Sequence, residues 1–441
     1  MKRKIVYGFI IWASVLTAPV FAQDTLKWDL AQAIEYATKN NITVKQTELN
    51  QLTAENNLLQ SRYARIPSLS ATGTQALTRG TSIDPITSDF VSQTINSTSV
   101  GVSSQVTLLS GNRINNTIRQ NQLTVDQNGL YVKESQNNIT LQLTEAYLMA
   151  LYYKEGIATA EETLKLSENQ LKRSQALHDA GSLSLSDLST VKSTYASNNY
   201  ALVTAKNAYA QQVLSLKQLL ELEPEQVLAL TFPEEDGAWA VVIPDKYEVY
   251  YAALNSMPEI SASKTGISIS ELGVKIAKAG YYPTLSLNGN LSTGYTNTQN
   301  FAFEEQFSNN FNQRVGLSLS IPIFNNYQTK RNVQNAVIST RAAELDLTAT
   351  KKELYQKVEN AHQSAVAARA QMEAAQVEMV AAETALDLAK QRFELGLINA
   401  VDMQVAQNTF VSAQQKYLQA KYTGILYYQL LQFYQGNPIK I

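Results

Sequence analysis

Two carboxylates stand in matching contexts, Ser184-Leu185-Ser186-Asp187 and Asn399-Ala400-Val401-Asp402, each three residues after a side chain that caps helices. The chemistry this spacing offers is that of a helix start. The Ser or Asn oxygen accepts a backbone N–H, and the acid faces the positive end of the helix dipole. The other candidates for chemistry are two histidines, His178 and His362, both on helical repeats and neither near a cluster at ligand spacing. They read as packing or solvated residues, His178 lying beside Asp179 near the first break. Cysteine is absent, which excludes disulfides, thiolate metal sites, a thiol nucleophile and a lipid carried on an N-terminal cysteine. No catalytic constellation is present, and neither an enzyme, a cofactor nor a resident metal is expected.

The elements that position the aspartates are long. No proline lies between Pro85 and Pro224 or between Pro322 and Pro438, and Asn325 to Leu395 lacks glycine as well. Proline costs about 3 kcal/mol in a helix interior and glycine about 1 relative to alanine, so such tracts read as helix. Leu354, Val358, Ala361, Ala365, Ala368, Met372 and their successors to Phe393 follow a 4-3 spacing, and the stripe resumes from Met403 to Tyr434. Between the two runs Gly396 breaks the helix, because a glycine beyond a helix end adopts positive φ without steric cost. Small residues on the stripe let two backbones approach, and an antiparallel hairpin folded at Gly396 is expected, with its tip at residues 395–401.

The first half of the chain repeats this plan 215 residues earlier, with Gly181 matching Gly396, Asp187 matching Asp402 and Ile139 opening the equivalent stripe. Its tip is expected at residues 179–186. Agreement of breaks, stripes and flanks at one offset marks a tandem duplication. The repeats are read as residues 23–222 and 245–436, joined by a linker at 223–244 that holds three prolines and Glu234-Glu235-Asp236, with a tail at 437–441.

Ahead of each hairpin the texture changes to alternation. Val315, Leu317, Leu319, Ile321 and Ile323 alternate with Gly316, Ser318, Ser320 and Pro322, a period of two with one apolar face. Strands are predicted at 67–77, 99–109, 284–295 and 314–324, separated by polar loops at Thr78–Thr98 and Thr293–Gln313. About ten residues is the length of a tilted strand crossing a bilayer. Periodicity alone fits a half-buried hairpin of a soluble domain equally well; the long Ser-, Thr- and Asn-rich loops favour an outer-membrane barrel. Four strands cannot close a barrel, and open edges do not survive in lipid, so strands that span a membrane require an oligomer.

The N-terminus sets the compartment. Lys2, Arg3 and Lys4 precede an apolar run from Ile5 to about Thr17, followed by Val20-Phe21-Ala22 with small residues at the cleavage-determining positions, which reads as a cleaved signal peptide over residues 1–22, with a retained anchor as the rival reading. Removing those three basic residues from 36 leaves 33 against 38 acidic ones, without basic blocks, so nucleic acid is not an expected partner.

Taken together, signal, duplication, two strands and a long helical hairpin per half resemble the TolC-like outer-membrane efflux proteins over essentially the whole mature chain. The matching stretches are the strand starts at Pro67 and Pro283, Ser320-Ile321-Pro322-Ile323-Phe324-Asn325, and the tips at Gly181 and Gly396. The resemblance implies an α+β membrane protein: a homotrimer whose twelve strands form one barrel in outer-membrane lipid and whose helices continue as a coiled-coil tunnel across the periplasm. It implies docking on a periplasmic adaptor and an inner-membrane efflux or secretion pump. In the family, aspartates at the tip ring the closed mouth and bind cations, a role the resemblance carries to Asp402. Asp187 matches a latch partner. Val405 stands where the family has a second aspartate, and Phe393 and Ile398 stand where it has a latching tyrosine and arginine. The aperture is therefore expected without the same polar latch. The alternative reading is a periplasmic coiled-coil adaptor, or a structural envelope protein without a pore.

Overall fold

The computed structural model describes residues 26–83, 90–231 and 242–439. The signal segment at 1–22 and the acidic Glu234-Glu235-Asp236 of the linker lie outside the described residues. A short strand β1 (Leu26–Trp28) leads into helices α1 (Leu30–Asn40) and α2 (Ile42–Tyr63), then strands β2 (Ser68–Ile83) and β3 (Phe90–Ser110). Helices α3 (Arg113–Asp179) and α4 (Leu185–Leu219) follow, and strand β4 (Leu228–Leu230) pairs in parallel with β1. The second half runs α5 (Lys246–Ser256), α6 (Pro258–Lys278), β5 (Thr284–Thr296), α7 (Phe303–Asn309), β6 (Asn312–Ser320), α8 (Gln328–Glu394) and α9 (Ala400–Tyr434).

The duplication is visible in the backbone. Helices α3 and α8 have 67 residues each and α4 and α9 have 35, every boundary displaced by the same 215 positions. At 1.5 Å per residue the longer pair is about 100 Å long. Both long helices even begin after a left-handed residue, Asn112 at φ 62 and Tyr327 at φ 62.

The repeated core explains why the short helices sit where they do. Ala33 and Ala37 of α1 are buried with Ile139, Leu143, Ala146 and Ala150 of α3 and Leu216 of α4. In the second repeat Val249 and Ala253 of α5 are buried with Leu354, Val358, Ala361 and Ala365 of α8 and Leu431 of α9. The buried face of α8 beyond this core is the expected stripe, Ala368, Ala375, Ala382 and Leu386. Off that stripe Ala342, Ala367, Ala370, Ala374 and Ala381 are exposed, which leaves a second small-residue surface free for another helix.

The four long strands form one antiparallel sheet in the order β2-β3-β5-β6. Its register sorts the side chains cleanly. Leu319 lies opposite Leu285 and Leu317 opposite Leu287, which in turn faces Val106; Leu291 faces Val102, which faces Ala71. The other face carries Ser318, Ser286 and Thr107 in one row and Ser292, Gly101 and Thr72 in another. A bulge between Thr107 and Leu109 adds one residue, so that Leu109 comes opposite Leu285 and stays on the apolar face. Both outer edges, on β2 and β6, are unpaired among the described residues.

The strands differ from their expected bounds in two ways. Residues 78–83 and 90–98, expected as loop, belong to strands of 16 and 21 residues paired without interruption from Ser68–Gln105 to Ile83–Phe90. Inter-strand hydrogen bonding needs no apolar alternation, and the Thr- and Ser-rich ends satisfy it fully. The last strand, expected to reach 324, stops at Ser320, since Ser320 pairs with Thr284, the residue after Pro283, and neither Pro283 nor Pro322 has an N–H to extend the ladder. The loop expected at Thr293–Gln313 contains α7, held by Gln306, whose buried amide donates to the carbonyls of Thr296 and Phe301 at 3.0 and 2.9 Å.

Candidate functional site: the hairpin tips

Each tip closes with the same hydrogen-bond pattern. The Gly181 N–H donates to the His178 carbonyl at 2.8 Å and Ser182 to Leu177 at 2.8 Å; Gly396 donates to Phe393 at 3.0 Å and Leu397 to Arg392 at 2.9 Å. These bonds satisfy carbonyls at the helix end and require a left-handed residue between them. Gly181 has φ +74 and Gly396 φ +70, with open space where a Cβ would stand. Conformation, not crowding, selects glycine at both.

The following caps form as the spacing suggests. Ser184 Oγ accepts the Asp187 N–H at 3.0 Å, and Asn399 Oδ1 accepts the Asp402 N–H at 2.9 Å. The two carboxylates then part company. Asp187 is half-buried and its Oδ2 accepts the Ser184 hydroxyl at 2.6 Å. Asn399 has no hydroxyl to give, and the exposed Asp402 carboxylate makes no hydrogen bond among the described residues. Asp402 is the tip acid left available to something outside the chain. Phe393 and Ile398 are half-buried and Val405 is 60% exposed, and none carries a polar group. His178 Nδ1 lies 2.9 Å from the Leu183 carbonyl, which ties it to the turn. Among the described residues no group of three or more His, Asp or Glu side chains converges within this one chain.

Two connections between the hairpins were not legible beforehand. Arg173 of α3 meets Glu394, the last residue of α8, with Nη1 to Oε1 at 3.0 Å and Nη2 to the Glu394 carbonyl at 3.4 Å. An acid at a helix C-terminus opposes the dipole and calls for a cation, which is the signal that marks Glu394 in retrospect. Farther from the tip, Tyr422 of α9 donates its hydroxyl to Glu155 of α3, and Lys421 stands 3.5 Å from the same carboxylate. Between these links α3, α4 and α9 enclose a small void beside Ser167, Thr194 and Gln404. Into it the amides of Gln170 and Gln407 turn without a protein partner among the described residues.

A sheet with one apolar and one polar face, open at both edges and standing on two hairpins about 100 Å long, is a segment of a wall: this is a subunit of a channel. The chain belongs to the outer membrane efflux protein family, whose model matches residues 33–221 and 249–432. It is 22% identical over 432 residues to the outer membrane efflux protein BepC of Brucella suis, a match covering 96% of this chain and 88% of that one. It is also 22% identical over 310 residues to the alkaline protease secretion protein AprF of Pseudomonas aeruginosa, covering 69% and 62% of the two chains. Among solved structures, the CmeC outer membrane channel of Campylobacter jejuni superposes with a TM-score of 0.78 at 15% identity, covering 100% of this chain and 95% of that one. The resemblance read from the sequence is thus borne out. The protein is an outer-membrane exit duct for efflux or secretion in a Gram-negative envelope, its helical hairpins lying in the periplasm.

Proposed function

We propose that three copies of this chain, released from a signal peptide at residues 1–22, close a twelve-stranded barrel and a twelve-helix tunnel. The tips form the periplasmic aperture, and they dock on an adaptor that links the duct to an inner-membrane efflux or secretion pump. One observation carries this reading: among the described residues the sheet of a single chain has two unpaired edges flanking an apolar face that includes Val315 at 80% and Leu317 at 67% exposure. Unpaired backbone groups in hydrocarbon cost several kcal/mol each, so the edges need partners, and identical copies supply them without a new surface. The exposed alanine face of α8 serves the same ring, because a helix in a closed wall has two neighbours.

At the aperture, three copies of Asp402 converge around one axis and favour cations over anions there. Asp187, hydrogen-bonded to Ser184, acts mainly to start α4. The Arg173–Glu394 pair takes the place of a tyrosine and arginine latch, for which Phe393 and Ile398 have no donors. Mass measurement of protein extracted in detergent from outer-membrane fractions tests the assembly: a trimer is expected, and a water-soluble single chain would overturn it. In planar bilayers, Asp402→Ala is expected to weaken block of conductance by multivalent cations. Unchanged block would leave helix capping as the only role of that segment.

A further inference from the structure

Strand β3 outruns its partner at one end. Ser68, the first residue of β2, pairs with Gln105, whereas β3 continues to Ser110 with only β5 beside it. Pro67 cannot extend the ladder, and the chain turns there into α2. The corner leaves a cavity of about 490 Å³ walled by Tyr63, Ala64, Ile66, Pro67, Val106 and Thr107. Tyr63 and Ile66 are exposed in a single chain.

The opposite edge of the sheet carries exposed apolar side chains, of which Phe324 meets only the edge-on ring of Tyr327 among the described aromatic contacts. After β6 ends, Ile321-Pro322-Ile323-Phe324 leads toward α8 as irregular chain, with Ile323 95% and Phe324 69% exposed. Every pairing in the sheet is antiparallel, so β2 and β6 run in opposite directions. In a ring of identical copies, β6 of one copy therefore lies antiparallel to β2 of the next. The end of β6 comes to the start of β2, which is where the cavity opens.

We propose that the Ile321–Phe324 segment of one copy seats against the Tyr63–Pro67 corner of the next and clamps the ring at the junction of barrel and tunnel. The clamp rests on the trimeric reading above. It continues the edge pairing past the point where two prolines end the ladder, and it sets exposed apolar side chains against Tyr63, Ile66, Pro67 and Val106, in a corner that Ser68, Gln105 and Thr107 also line. Backbone pairing holds the copies along the strands. Side-chain burial holds them just below.

The chain has no cysteine, so Ile66→Cys with Ile323→Cys introduces the only two thiols. Mild oxidation of outer membranes holding this full-length variant is expected to give covalent dimers and trimers in denaturing gels, while either single variant stays monomeric. A second pair, Ala64→Cys with Phe324→Cys, covers a shift of a residue. The native mass in detergent, measured without oxidation, reports the trimer separately. A trimer that crosslinks through neither pair, or in which the thiol of the Ile66→Cys variant reacts instead with a lipid-borne maleimide, overturns the clamp and leaves the trimer standing. A monomeric mass would overturn the underlying reading and the clamp with it.

Discussion

Leu317 and Ser318 are adjacent on β6, yet the register sends them to opposite faces of the sheet. Leu317 stands in a row with Leu287 and Val106, and Ser318 in a row with Ser286 and Thr107. Nine residues of β6, at about 3.4 Å each and tilted about 40°, span roughly 23 Å of the apolar band, with Leu317 well inside it. An arginine on the lipid face near the midplane costs about 2–4 kcal/mol, or about 6–12 kcal/mol over three copies, which rivals the whole stability of an ordinary domain. Leu317→Arg is therefore expected to deplete assembled protein from the outer membrane. Ser318→Arg faces water, costs within about 0.5 kcal/mol, and is expected to leave assembly intact while moving the pore toward anion selectivity. The assay is the amount of heat-resistant oligomer in outer-membrane fractions, followed by reversal potentials in a salt gradient. Equal tolerance of both substitutions, or greater damage from Ser318→Arg, would refute the assignment of faces and the membrane span built on it.

At the tip, Gly396→Ala is expected to cost only the left-handed backbone, about 1–2 kcal/mol, because nothing lies within 4 Å of the added Cβ. Asparagine at the same position should cost less, and faster hydrogen exchange over the tip in the alanine variant alone is the readout. In the wall of the tunnel, burial, reinforced by Glu259 and Glu353 and opposed by Lys357, holds the Glu134 carboxyl above its ordinary 4.5. The folded protein keeps that proton to a higher pH than the unfolded chain does. Stability thus falls as pH rises from about 4.5 through the raised value and stays reduced at neutral pH. Glu134→Gln should raise the thermal midpoint at pH ~7 and change it little at pH ~4, and the opposite ordering would exclude this assignment.

The helices were legible because their signal is long. A stripe repeated from Leu354 to Leu386, free of proline and glycine, overwhelms any local ambiguity, and the glycines at 181 and 396 fix the turns to within a residue. The strands were legible only where a hydrophobic face imposes alternation. Thr78–Ile83 and Phe90–Thr98 pair as regularly as the rest, but their mostly polar sequence, with Ile83, Phe90, Val91 and Ile95 scattered through it, gives no sustained period to read. The reverse failure occurred after Ser320, where Ile321 and Ile323 keep the alternation although Pro322 and Pro283 have ended the ladder. The β1–β4 pairing joins residues some 200 positions apart through three residues each, and no local pattern announces that. The tip aspartates were legible as caps. Which of them is satisfied inside the chain was not, because that depends on how each cap side chain turns: the Ser184 hydroxyl reaches Asp187 Oδ2, whereas Asn399 meets only the Asp402 N–H.

That last difference bears on how a duplicated chain becomes a working duct. The two repeats keep identical helix lengths and bury matching positions of their long helices, since both must fill the same wall. They diverge at the two ends. In the sheet, one repeat contributes strands of 16 and 21 residues, the other strands of 13 and 9 with a short helix between them. At the tips, Asp187 is bound by its own cap whereas the Asp402 carboxylate makes no hydrogen bond among the described residues. A trimer of such chains has six helical hairpins in two alternating kinds, so the tips need not act alike. Arg173 and Glu394 tie one kind to the other through an exposed ion pair, a link of about 0–1 kcal/mol that salt weakens. The amide nitrogens of Gln170 and Gln407, without a partner among the described residues, lie at the same seam. If the tips form the proposed aperture, hairpins joined this loosely there, but by the Glu155, Lys421 and Tyr422 cluster and the apolar cores nearer the sheet, would separate at the mouth before the wall above them comes apart.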